Sequence, residues 1–77
     1  MDHTAIAHSI IEEILTDADS TKTSPRDLWD ERGDGYLLEH MPYDVRIGEG
    51  RAGNRDHGAE VAVSKIVEAL IDSQPVQ

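Results

Sequence analysis

Ile6, Ile10 and Ile14 recur every four residues, with Ala7, Ile11 and Leu15 on the adjoining row, and this ladder constrains the fold more than any other feature. It is the apolar stripe of an amphipathic helix over roughly residues 4–16. A helix that is apolar on one side only must bury that side against another element. The chain has 77 residues in which to supply one. That length makes a single domain, 1–77, burying only about 60–65% of the surface its unfolded form exposes.

Glu12, Glu13 and Thr16 fall off the stripe, on the wet side. The run Asp17-Ala18-Asp19-Ser20-Thr21-Lys22-Thr23 breaks the pattern and reads as a polar loop. Ser24-Pro25-Arg26-Asp27 is a helix start: Ser24 caps, Pro25 suits the first helical position, and Asp27 can reach back to the Ser24 amide. Gly33 and Gly35 keep that helix short, with Leu28 and Trp29 as its only large apolar side chains.

Two strand-like runs follow, Tyr36–Met41 and Tyr43–Ile47, joined at Pro42 and read as a hairpin. Gly48, Gly50, Gly53 and Gly58 then mark a flexible loop over about 48–58. Ala62, Val63, Ile66, Val67, Ala69 and Leu70 give a broad apolar face to a last helix over about 59–72, stopped by Pro75. The pattern predicts an α+β domain in the order α-α-β-β-α: two amphipathic helices packed on a small antiparallel hairpin sheet, with a short connecting helix. Two strands do not make a self-sufficient sheet, so the helices must supply most of the core.

Charge sets the class of partner. Sixteen Asp and Glu stand against seven Lys and Arg, a formal net charge of -9. Such a surface repels nucleic acid and anionic membrane and attracts cationic partners. Asp2, Glu12, Glu13, Asp17 and Asp19 face no Lys or Arg in the first twenty residues, whereas Arg46, Arg51 and Arg55 make one segment locally basic. Clustering of this kind favours a partner surface over an evenly charged, salt-adapted one. With no cysteine there is neither a disulfide framework nor a thiolate metal site. The N-terminus lacks the basic and apolar regions of a signal peptide, and no apolar run spans a bilayer. A soluble, cytoplasmic protein is expected.

Motifs with chemistry are weak. Gly48-Glu49-Gly50-Arg51-Ala52-Gly53 matches a dinucleotide fingerprint, but too little chain follows its helix for a second parallel strand. His3 and His8 are five apart, the wrong spacing for chelation on a helix. Met1-Asp2-His3 has the form of an N-terminal copper or nickel site, an arrangement that arises often by chance. No Ser/His/Asp set assembles from spacing, and Glu12-Glu13 and Asp30-Glu31 read as a solvated face. No enzyme, metal or cofactor is expected.

The residues read as a partner surface are Glu12, Glu13, Asp17 and Asp19 with Asp27, Asp30, Glu31 and Asp34, and Trp29 as an anchor. Carried on a small domain without catalytic apparatus, these carboxylates resemble the small acidic phage-borne inhibitors of defence nucleases, the anti-CRISPR and DNA-mimic type. That resemblance implies occupation of a basic nucleic-acid-binding surface, with no direct contact to nucleic acid or membrane. A structural homodimer is the alternative, since Val63, Ile66, Val67 and Leu70 exceed what two strands can cover. Gly48-Glu49-Gly50 with Ala59-Glu60-Val61-Ala62 and Ala69-Leu70 also resembles the end of double-stranded-RNA-binding domains. Such domains carry lysines where this chain reads Asn54-Arg55-Asp56-His57, so a fold of that kind would come without strong RNA binding.

Overall fold

A computed structural model of the chain describes residues 2–41 and 57–74. They form three helices: α1 (His3–Thr21), α2 (Pro25–His40) and α3 (His57–Asp72). Glu13 on α1 meets His40 at the end of α2, and Arg26 at the start of α2 approaches Asp72 at the end of α3. α2 therefore runs antiparallel to both of its neighbours. α1 packs extensively on α3 and α2, whereas the α2–α3 contact is the smallest of the three.

Each helix presents one apolar side to a common core. α1 gives Ala7, Ile10, Ile11, Ile14 and Ala18; α2 gives Leu28, Trp29, Tyr36 and Leu37, with Met41 just beyond it. Ala59, Val63, Val67 and Ile71 of α3 close the core at four-residue spacing, and Ile66 and Leu70 pack partly buried against it. The apolar face of α3 is thus largely absorbed within one chain. Val61 is the one exposed large hydrophobic side chain among the described residues.

Local chemistry fixes the helix ends. The Asp2 carboxylate accepts from the Ala5 amide at 3.2 Å and caps α1. Ser24 caps α2, accepting from the Asp27 amide at 3.1 Å, with Pro25 in the first turn. α1 ends at Lys22, whose φ of 61° turns the chain into the left-handed region. At the end of α3, Ser73 Oγ and Gln74 Nε2 both donate to the Leu70 carbonyl.

The structure corrects the expected α+β class: the described residues contain no strand. Tyr36–His40, read as half of a hairpin, is the last part of α2. Gly33 and Gly35 do not end that helix. Each glycine costs roughly 1 kcal/mol against alanine, but burial of Tyr36 and Leu37 returns about 1.5–3 kcal/mol apiece. Asp17–Thr21 is likewise helical rather than a loop. Ala18 continues the buried stripe there, and the Thr16 and Thr21 hydroxyls donate to the Glu12 and Asp17 carbonyls at 2.9 and 2.8 Å. The expected strand Tyr43–Ile47 and most of the expected 48–58 loop, including the Gly48–Gly53 fingerprint, lie outside the described residues; Gly58 belongs to α3. Among the described helices, none is long and apolar enough to cross a membrane.

Candidate protein-binding surface

The helices sort the eight expected surface carboxylates into three settings and put the expected anchor, Trp29, in the core. Glu13 and Asp17, four apart on α1, turn toward α2 and meet Arg32, Tyr36 and His40, which are spaced by four on α2. The Tyr36 hydroxyl donates to Asp17 Oδ2 at 2.6 Å, and Arg32 Nη1 donates to the same oxygen at 3.0 Å. The Arg32 guanidinium also lies 4.4 Å above the Tyr36 ring, a cation–π arrangement. Tyr36 is fully buried. Burial, and then the bond to Asp17, pushes its phenol up to about 12 against the attraction of Arg32.

His40 completes this polar seam. Its Nε2 stands 3.0 Å from Glu13 Oε2 and its Nδ1 2.8 Å from the Tyr36 carbonyl oxygen. Each ring nitrogen thus faces one oxygen, and the imidazole bridges the two helices. Sequence reading placed Glu13 and Asp17 on a partner surface and missed Arg32, Tyr36 and His40. The signal was present: acids at i, i+4 on one helix matched by polar residues at i, i+4, i+8 on the next. A strand over Tyr36–Met41 hides it, because residues four apart do not adjoin there as they do at helical rise.

Glu12 and Asp19 occupy the second setting. Seven apart and exposed, they sit on the side of α1 opposite its buried stripe. Trp29 is in neither group, being 7% exposed and part of the core. Its indole packs against Gly33 of its own helix.

Asp27, Asp30, Glu31 and Asp34 form the third. All four are exposed and fall at i, i+3, i+4 and i+7 of α2, which places them in one stripe. Arg26 pairs with Asp30 at 3.5 Å and approaches Asp72 at 4.0 Å. Along the helix axis they step by about 4.5, 1.5 and 4.5 Å, so four carboxylates stand within about 10.5 Å of helix.

Beside this stripe, where α2 and α3 are packed least, runs an open cleft of about 550 Å³. Leu37, Leu38 and Val61 supply its apolar lining, and Asp34, Glu60 and Glu68 its acid, with Ser64 and Lys65. A second hollow of about 280 Å³ shares Asp34, Leu37 and Ser64 with the first and extends to Asp30 and Glu31.

The helices also account for the whole net charge. Among the described residues 13 carboxylates face Lys22, Arg26, Arg32 and Lys65, giving 4 − 13 = -9; Asp44, Glu49 and Asp56 balance Arg46, Arg51 and Arg55 elsewhere. Among the described residues, no three of His, Cys, Asp and Glu converge as a metal site. Comparison with protein families, curated proteins and solved structures finds no match. The described residues are helical where an α+β domain was expected, and no relative supports the likeness to phage-borne anti-CRISPR or DNA-mimicking inhibitors, which rests on composition alone.

Proposed function

We propose that the protein is a non-enzymatic acidic binding module that regulates or inhibits a nucleic-acid-processing protein by occupying its basic nucleic-acid-binding surface. The observation that carries this reading is the α2 stripe. Asp27, Asp30, Glu31 and Asp34 share one face, four exposed carboxylates within about 10.5 Å of helix axis. A cleft lined with Lys and Arg to accept phosphates offers matching charge, and long-range attraction speeds the encounter. Glu13 and Asp17 pair within the domain, and Glu12 and Asp19 stand apart on the outer side of α1, so the stripe on α2 is the surface proposed for the partner.

The test is affinity capture from the native host with immobilised protein, eluted by salt and, separately, by duplex DNA. The expected result is a nucleic-acid-binding protein that duplex DNA displaces. The triple variant Asp27→Lys, Glu31→Lys, Asp34→Lys should retain it at least about tenfold less well, since each reversed contact is worth on the order of 1 kcal/mol or more. Partners that ignore both the DNA competitor and the reversals would overturn the reading.

A further inference from the structure

We infer that the α2–α3 cleft is a docking groove for an amphipathic basic segment of a partner protein: an apolar side chain or two seated between the helices, with Lys or Arg on either side. Three independent features converge on it. The cleft lies where the bundle is packed least, and it holds Val61, the one exposed large hydrophobic side chain among the described residues, 50% exposed beside the half-buried Leu38. Its volume, about 550 Å³, falls in the range of sites that receive side chains or small ligands. The third feature is charge: among the described residues, Asp34, Glu60 and Glu68 border the main hollow together with Lys65, and Asp30 and Glu31 border its extension.

Apolar floor and acidic border together choose the occupant. A nucleic acid strand or an anionic membrane is repelled by the border. A uniformly charged polycation leaves Val61 and Leu38 in water. A segment with apolar residues on one face and Lys or Arg beside them meets both demands, in the manner of a helix laid into a groove. This inference rests on the preceding reading only in taking the partner to be basic. It adds that recognition has an apolar component and that it happens beside α3 rather than on the outer face of α1.

The experiment uses the intact protein and a fluorescently labelled model peptide of about four helical turns, with Leu at helical spacing and Lys elsewhere. A second peptide replaces every Leu by Ser at unchanged charge. The Leu/Lys peptide should bind at least about tenfold more tightly than the Ser/Lys peptide, and Val61→Ser should remove roughly that advantage. The pair Asp34→Asn, Glu68→Gln should weaken binding about fivefold or more, whereas Glu12→Gln with Asp19→Asn, the same loss of charge on α1, should change it less than about twofold.

Equal binding of the two peptides, or equal weakening by the two charge pairs, would overturn the groove and leave only net charge. Self-association in sedimentation velocity that Val61→Ser abolishes would assign the cleft to a second copy instead, and would also overturn it. The two proposals fail separately. A DNA-displaceable partner that still depends on Asp27, which borders neither hollow, while the probe ignores the cleft variants would refute the groove alone. Probe binding at the cleft without any such partner would refute the nucleic-acid-processing reading alone.

Discussion

Tyr36 carries more of the domain's internal logic than any other residue. Its ring is fully buried, its hydroxyl donates to Asp17 at 2.6 Å, and Arg32 stacks above it. A buried hydroxyl with a charged acceptor is a satisfied polar group, and removing it strands little, because Asp17 keeps Arg32 at 3.0 Å. Tyr36→Phe should therefore cost only about 0.5–1.5 kcal/mol at neutral pH. Its larger effect appears in alkali. The folded phenol is held at about 12, chiefly by burial, against about 10 in an unfolded chain. Below pH 10 both states keep the proton, and the stabilisation is whole. Between pH 10 and 12 the unfolded chain ionises first, so stability falls as pH rises and the contribution is gone above the folded value. Urea denaturation from pH 8 to about 12 should show a loss of roughly 1–2 kcal/mol attributable to this group. The difference between parent and Tyr36→Phe isolates it from the other tyrosine and the lysines. A variant whose stability declined as steeply as the parent's would contradict the assignment.

Among the elements, α2 is the one that sequence reasoning mistook, and its two glycines make the reason measurable. At Gly35 an added Cβ meets nothing within 4 Å, so Gly35→Ala should stabilise the domain by about 0.5–1 kcal/mol. At Gly33 the same atom would sit 3.2 Å from Trp29 Cδ2, in a ring that is itself core. The propensity gain there is offset by crowding, so Gly33→Ala should gain less than Gly35→Ala, and Gly33→Leu should lose about 1–3 kcal/mol. Thermal denaturation of the three variants orders them. Two glycines so close usually end a helix, and a short apolar run such as Tyr36-Leu37-Leu38 has no period of its own to distinguish strand from helix. What decided the matter was long-range: Leu28, Trp29, Tyr36 and Leu37 spread over about half of the helix circumference, and all four are buried when the helix runs through the glycines and packs on both α1 and α3. The long isoleucine ladder of α1, the Ser24-Pro25 start and the apolar face of α3 were legible because each is written in consecutive residues. The seam of Glu13 and Asp17 with Arg32, Tyr36 and His40 was not, because it exists only between two correctly assigned helices.

For the whole molecule the question is why a small bundle should carry all of its net charge on three helices. Self-repulsion destabilises a compact state, and the α2 stripe is a local instance. Asp27 with Asp30, Asp27 with Glu31, Asp30 with Asp34, and Glu31 with Asp34 are all like-charge neighbours at i, i+3 or i, i+4. Asp27 is eased by the helix N-terminus and Asp30 by Arg26 at 3.5 Å, which leaves Glu31 and Asp34 as the least compensated members of the stripe. Glu31→Gln with Asp34→Asn should raise stability by about 0.5–1 kcal/mol at low ionic strength. The gain should shrink as salt approaches about 0.15 M, where the screening length falls to roughly 8 Å. The same variant should bind its partner less well, and salt should weaken parent binding over the range in which it strengthens the fold. A surface kept for binding moves the two quantities in opposite directions. A salt-adapted surface would do otherwise: stability would keep climbing into molar salt, and neutralising two carboxylates would leave binding as it was. Thermal midpoints and partner affinities of the two proteins, measured side by side from about 10 mM to 1 M salt, separate these cases, because only the first yields slopes of opposite sign.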